Sequence, residues 1–258
     1  MTEPPRIFTA EYYARMRELE SGGWWNAAMR DIAGMLLRDA RLPSTGTVLD
    51  VGCGSGQTLT WFTRKFGAWR PLGCDIAPEA VAAAQKLGFD ITQASALSLP
   101  YATASADVVI SLDVLQHVPL DGGDAVALRE MRRVLKPGGW LFVRTNAQSF
   151  PYSADDHAFQ FHRYERPELD AKLRAAGFVV RRSSRVNAVL GLAEIPRELR
   201  ARRSQSHDYH GILATANGNG SWVTSAKRAW VKLEGQAIRA GVRLPAGRSI
   251  VALCTTSA

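Results

Sequence analysis

Val48-Leu49-Asp50-Val51-Gly52-Cys53-Gly54-Ser55-Gly56 is the stretch on which the fold turns. Thr47 to Val51 is β-branched and aliphatic with one acid, which predicts a short strand. Three glycines at alternating positions follow, and a helical segment opens at Gln57. Glycine suits that loop because the backbone must turn sharply, and because a ligand then meets main chain with no Cβ in the way. The strand, loop and helix start in that order separate a ligand loop from a Gly-rich turn that holds nothing. A dinucleotide fingerprint, G-x-G-x-x-G, would place its third glycine at position 57, where Gln57 stands. The spacing argues against a nicotinamide dinucleotide.

Asp50 to Gly56, read as acid, any residue and Gly-x-Gly-x-Gly, resembles the first motif of the class I S-adenosylmethionine-dependent methyltransferases. The resemblance implies an α/β fold, a doubly wound, Rossmann-like sheet of seven mostly parallel strands with the last antiparallel. It also implies S-adenosylmethionine as cofactor, with Asp50, Gly52, Cys53, Gly54 and Gly56 around it. Arg70 to Asp75 reads as the second strand and ends in an acid, whose carboxylate can accept from both hydroxyls of a ribose. Ile76 adjoins it, and Pro78 and Glu79 suit the first turn of the next helix. Phe89 to Ala94 reads as the third strand, and Ala94-Ser95-Ala96-Leu97-Ser98-Leu99-Pro100-Tyr101 resembles the family's Gly-Asp-Ala-x-x-Leu-Pro-Phe segment. The family acid that contacts the adenine amino group falls on Ser95, a weaker acceptor, which leaves adenine to the backbone of Ala96 and Leu97. Ala106 to Ser111 is the fourth strand, so topology places Leu112, Asp113, Gln116 and His117 beside the cofactor. Leu128, Met131 and Val134 mark a helix over Asp124 to Leu135, and the turn Leu-Lys-Pro-Gly-Gly (135–139) is again a family feature, leading into a strand from Trp140 to Arg144.

The acceptor side has to come from the loop Thr145 to Arg166, which leaves the carboxyl end of the fifth strand and holds Asp155, Asp156, His157, His162, Arg163 and Tyr164. His157 to Leu173 resembles bacterial methyltransferases with a His-Asp and a His-Arg-Tyr pattern, although the first pair is reversed here as Asp156-His157. The catalytic candidates are His162, His157, Tyr164 and His117, each able to take a proton from an acceptor or to position it. The His157 to His162 spacing fits no familiar zinc pattern, so no metal is expected. A helix from Pro167 to Gly177, a sixth strand from Phe178 to Val186 and a last strand from Ser249 to Thr255 complete the sheet. The expected organisation is a helical segment over the site at 1–46, the cofactor-binding core at 47–186, a lid-like helical insertion at 187–246, and the last core strand at 247–258. Trp24-Trp25 reads as packing or as cover for the acceptor.

At 258 residues and 46% hydrophobic, the chain can bury the core of one α/β domain with an insertion. No apolar run approaches the roughly 20 residues of a membrane span, and Met1 to Arg6 has no signal-peptide pattern, so a soluble cytoplasmic protein is expected. Its three cysteines, Cys53, Cys74 and Cys254, are read as reduced. The net charge of +8 is concentrated at Arg181, Arg182 and Arg185 and at Arg197, Arg200, Arg202 and Arg203. Such clusters suit an anionic acceptor or a solvated face. The Asn/Asp-Pro-Pro-aromatic motif of methyltransferases acting on bases or glutamine is absent after the fourth strand, which turns the reading away from nucleic acid. The expectation is methyl transfer to a small-molecule acceptor. A nucleic-acid or protein methyltransferase, or a non-catalytic S-adenosylmethionine-binding protein, stays as the alternative.

Overall fold

The structure, a computed structural model, describes residues 24–119, 121–148, 162–188 and 222–257. Helix α1 (Trp24–Asp39) leads into β1 (Gly46–Val51), then α2 (Gln57–Phe66), β2 (Trp69–Asp75), α3 (Pro78–Gln85), β3 (Asp90–Gln93) and β4 (Ala106–Leu112). A single 3-10 turn, Leu115–His117, precedes α4 (Gly123–Val134) and β5 (Leu135–Asn146). Helix α5 (Arg166–Ala175), β6 (Phe178–Val186), α6 (Trp222–Arg239) and β7 (Ser249–Thr256) follow.

The seven strands form one sheet in the order β3-β2-β1-β4-β5-β7-β6. Strands β1 to β5 pair in parallel, and β7 runs antiparallel between β5 and β6. The chain first winds outward from β1 to β3 and then returns to β4 on the other flank, so the switch point lies between β1 and β4. In open parallel sheets a ligand binds in the crevice beyond the carboxyl ends at that point.

Alternation along the strands feeds two cores. Val48, Val108, Ile110, Phe142 and Leu253 point to a layer made by α1, α2, α3 and α6. Leu49, Val51, Val109, Leu141 and Val143 point to α4 and α5, where Leu128, Met131, Leu169 and Leu173 are fully buried. In α1, Ala28, Ile32 and Leu36 recur at helical spacing and are buried, and Trp24 is in the same core.

Two elements differ from the sequence reading. Strand β5 starts at Leu135 rather than Trp140, because Leu135 already pairs with Ala106 before the register slips at the Lys-Pro-Gly-Gly turn. Lys136 then reaches Asp107 at 2.8 Å, and the same carboxylate accepts the Thr47 N–H at 2.8 Å, tying the turn to the start of β1. The insertion 187–246 leaves β6 at the carboxyl edge, where Val186 pairs with Ser249. Its described half, α6, packs along α1 and β6, with Val231 and Ile238 in the same core as Ile32 and Leu36. Glu234 of α6 accepts the N–H groups of Asn187 and Ala188 at 2.7 and 3.0 Å, which fastens the exit of β6. That half of the insertion is therefore part of the helical layer. The rest of the expected lid, residues 189–221 with the cluster Arg197, Arg200, Arg202 and Arg203, lies outside the described residues.

Candidate functional site

The loop after β1 curls toward the end of β2. The Gly52 and Cys53 N–H groups both donate to the Cys74 carbonyl, at 2.8 and 2.9 Å, and Gly56 N–H donates to Cys53 at 2.9 Å. Gly52, Gly54 and Gly56 have φ of +74°, +51° and +81°. A Cβ on Gly52 would stand 2.2 Å from Cγ2 of Val114, so neither the backbone nor the space admits another residue. Helix α2 begins directly after the loop and presents its N-terminus to the crevice. Asp75 ends β2 and is only 7% exposed. Its Oδ2 accepts the Gly54 N–H at 2.9 Å and its Oδ1 the Ala77 N–H at 3.0 Å. Each oxygen keeps a second lone pair. Burial pushes the Asp75 carboxyl above its ordinary value, against the opposing N–H groups of Ala77, Gly54 and Ile76. Ile76 next to it is 61% exposed, a large apolar side chain held open beside buried polar groups.

Cys53 and Cys74 are buried and free. Burial, with Asp50 and Asp75 nearby, drives the Cys53 thiol far up, and burial raises Cys74 to about 12, so both stay protonated at neutral pH. Asp50 is fully buried within β1. Ser95 spends its hydroxyl oxygen locally, accepting the Leu97 N–H at 3.2 Å. The segment it opens is pinned from α4: Arg133 donates to the carbonyls of Leu99 and Tyr101, and its partner Glu130 accepts the Leu99 N–H at 2.8 Å. Tyr101 closes this clamp with a 2.5 Å bond to the Gly73 carbonyl.

Beyond β4 the chemistry changes. Asp113 takes a left-handed φ of +59° and pairs through both carboxylate oxygens with Arg144 of β5, which is 4% exposed. The Trp25 ring covers the guanidinium at 4.4 Å. Leu112 is half-buried at the end of β4. The Gln116 side-chain oxygen accepts the Asn146 N–H at 3.0 Å and the Thr145 hydroxyl at 3.4 Å, while its backbone carbonyl accepts the His162 N–H at 3.0 Å. Gln116 thus stitches β4, β5 and the returning loop together. His117 lies beside it, Nε2 3.5 Å from the Gln116 amide, and burial lowers its pKa despite the opposing charge of Asp113.

His162 and Glu168 form a pair, Nε2 to Oε1 at 3.1 Å. Glu168 is held in place by a capping box on α5, its other oxygen accepting the Glu165 N–H. The His162 ring lies 4.1 Å from that of Tyr164. Tyr164 is fully buried: its hydroxyl stands 3.1 Å from both the Leu115 carbonyl and Asp124, which Lys172 also engages at 2.9 Å. Burial with Asp124 beside it holds the phenol far above its ordinary range, so Tyr164 is a protonated core residue on the α4–α5 side. His157 lies outside the described residues. Among the described residues no three side chains of metal-ligating type converge, and no helix is long and apolar enough to cross a membrane.

Residues 49–143 match the family described as "Methyltransferase domain". This stretch is a methyltransferase domain. The chain is 34% identical over 102 residues to a tRNA (carboxymethyluridine(34)-5-O)-methyltransferase of Arabidopsis thaliana, covering 40% of this chain and 24% of that one. It is 35% identical over 135 residues to a 2-methyl-6-phytyl-1,4-hydroquinone methyltransferase of Synechocystis sp., covering 50% and 39%. The matches thus span well under half the length of these curated relatives. In fold it is similar to a possible histamine N-methyltransferase of Thermotoga maritima, at a TM-score of 0.59 and 16% identity over 97% of this chain and 98% of that one.

The family's cofactor is S-adenosylmethionine, and the methyltransferase domain fits it on its own geometry. The glycine loop admits no Cβ at Gly52, Asp75 keeps acceptor capacity at the crevice, and Ile76 offers an apolar platform. The structure thus gathers Gly52, Cys53, Gly54, Gly56, Asp75, Ile76, Ser95, Ala96 and Leu97 around the β1–β2 end. It gathers Leu112, Gln116, His117 and His162 at the β4–β5 end. The sequence reading missed the Asp113–Arg144–Trp25 stack and the Glu130–Arg133 clamp. The clamp had a signal in acid and arginine three apart on one helix; the stack had none, since its members come from three separate elements.

Proposed function

We propose that this chain is a cytoplasmic enzyme that transfers a methyl group from S-adenosylmethionine to a small-molecule acceptor lying at the carboxyl ends of β4 and β5. The observation that carries the reading is Asp75, buried at the end of β2 with both oxygens set by loop N–H groups and each still able to accept. When bound, the cofactor supplies a methyl carried on a sulfonium, which passes in line to an acceptor nucleophile as the thioether departs with the bonding electron pair. Asp75 would accept from ribose, Ile76 pack on the adenine, and the Gly52–Gly56 loop admit the remainder.

His162 takes the acceptor's proton on this reading. A carboxylate only accepts, so Glu168 fixes the His162 proton on Nε2 and leaves Nδ1 free to act as base. His117, whose pKa burial lowers, stays neutral at neutral pH and serves as a second, positioning group. The insertion 187–246, entering at the carboxyl edge and anchored by α6, would supply the acceptor's cover together with residues 1–46. Support for a small acceptor comes from the hydroquinone methyltransferase, which aligns with half of this chain, and from Leu112-Asp113-Val114-Leu115 where the Pro-Pro motif would stand. The three buried, free cysteines suit a reducing compartment.

An RNA acceptor is the second reading, favoured by the tRNA methyltransferase match and the net charge of +8. Labelled methyl transfer to hydroxylated aromatics, small amines and total tRNA decides between them. Incorporation into the small-molecule fraction, reduced roughly 100-fold by His162→Gln with unchanged cofactor affinity, is expected. Incorporation into tRNA alone overturns the choice of acceptor, and cofactor binding with no incorporation anywhere overturns the enzyme.

A further inference from the structure

We infer that the outer edge of the sheet carries a second binding site, for a phosphate group. Strand β6 is the edge strand, and its ladder slips: Val180 faces Cys254 and Arg182 faces Leu253, so Arg181 is an extra residue between them. In a regular strand neighbouring side chains alternate faces, but a bulge re-aims one of them. Here the consecutive residues Arg181, Arg182 and Ser183 all line one pocket of about 100 Å³. Arg174 from the end of α5 and Arg243 from the turn after α6 close its rim, and Ile238 forms part of its wall.

The charges there are not spent on one another. Arg182 is scaffolding, donating to the carbonyls of Arg239 and Arg181 at 3.4 and 2.9 Å, and so caps the last turn of α6. Arg174, Arg181 and Arg243 are exposed and have no ion-pair partner among the described residues, and no acid lines the pocket. Three arginines around one pocket with no carboxylate among its lining residues supply the donors and the charge that a tetrahedral oxyanion takes. The volume corresponds to about three waters, room for one phosphate group rather than a whole nucleotide.

The site is distinct from the methyltransferase crevice. Strands β4, β5 and β7 intervene between β1 and β6, which at about 4.8 Å per strand puts roughly 19 Å between them. Val180 to Ser183 also sit level with Leu141 to Val143 in mid-sheet, not at the carboxyl edge. The phosphate can come free or on a small ester, or it can belong to a nucleic-acid backbone that reaches the crevice elsewhere.

The test uses the whole chain at low salt: calorimetric titration with inorganic phosphate and with adenosine 5′-monophosphate, and anisotropy with a fluorescein-labelled single-stranded RNA. Arg181→Gln/Arg243→Gln and Arg174→Gln are compared with the parent, with S-adenosylmethionine titrated in parallel. Phosphate is expected to bind, with affinity lost about tenfold in the double variant and severalfold in Arg174→Gln, while cofactor affinity and melting temperature stay unchanged. Equal binding of phosphate and the monophosphate identifies a small ester. RNA binding far tighter than phosphate, with a salt slope reduced by about 1.4 in the double variant, identifies a backbone. Absence of phosphate binding at about 20 mM, or binding unchanged in both variants, overturns the site.

Discussion

At the β1–β2 end of the carboxyl edge, the groups that face a ligand come from two short runs of chain, Asp50 to Ile76 and Ser95 to Leu97, and are fixed largely by backbone. Cys74 and Asp75 receive the loop's own N–H groups, and glycines supply the turn. At the β4–β5 end the groups come from Trp25, Asp113 to His117, Arg144 to Asn146 and His162 to Glu168, and are fixed by side chains bonding across long separations. The first end can hold one ligand whatever surrounds it. The second can be rebuilt one side chain at a time, which is what a varied acceptor demands.

The sharpest way to break the contrast is at Gly52. Gly52→Val places a branched side chain into Val114 at a backbone φ of +74°. Cofactor affinity is expected to fall more than roughly 100-fold, because about 3 kcal/mol of strain must be relieved by moving the loop. Calorimetry of S-adenosylmethionine against the variant reads this; near-parental affinity would show that the loop does not approach the cofactor.

The corresponding stroke at the other end is Asp113→Asn, which keeps a residue tolerant of φ +59° and removes only the charge facing Arg144. Breaking a fully buried pair costs about 3–5 kcal/mol, and with the Asp113 side chain 30% exposed we expect about 2 kcal/mol. Denaturant unfolding measures it. Cofactor affinity is expected to stay within about twofold, which would separate the two ends energetically; loss of both together would make them one unit.

The two ends also differ in how far they could be read from the sequence. The strand, glycine loop, helix start and terminal acid of the β1–β2 end are local, so spacing alone placed Asp75 and Ile76. The acceptor end was legible only as a neighbourhood. Topology put Gln116, His117 and His162 at the same edge, but nothing in the spacing showed that Gln116 ties three segments together. Nor did it show that the Tyr164 hydroxyl turns into the α4–α5 core toward Asp124. The insertion 187–246 was legible only as helical, while α1, the partner of its helix α6, lies almost two hundred residues away and had to be found by packing.

Acid should weaken the first end in a predictable direction. Burial raises the Asp75 carboxyl, so in the free protein this group contributes stability below its unfolded value, near 3.8, that is lost as pH rises through the raised folded value. Ribose hydroxyls need the ionised form as acceptor, so cofactor binding runs the other way. Affinity is expected to hold at neutral pH and to fall by up to about tenfold per pH unit below the folded pKa. Asp75→Asn should bind weakly and with little pH dependence between pH 4 and 7. A parental affinity that is flat across that window would remove Asp75 from the binding interaction.

The smallest effect asks whether the first end is complete. Ser95 stands where the resembling family carries an acid, and its hydroxyl oxygen is already accepting from Leu97 N–H. A carboxylate at 95 can keep that bond with one oxygen and offer the other to the adenine amino group, a charge-assisted bond in place of a weak one. We expect Ser95→Asp to tighten S-adenosylmethionine about fivefold, equivalent to about 1 kcal/mol. The gain should appear equally with S-adenosylhomocysteine, since both carry the same adenine, and should vanish with an analogue lacking the amino group. If the variant binds no tighter, the backbone of Ala96 and Leu97, held by the Glu130–Arg133 clamp, already satisfies the adenine edge. The clamp would then be a tertiary substitute for the missing acid, and Arg133→Gln, which loosens it, should cost the parent more affinity than Ser95→Ala does.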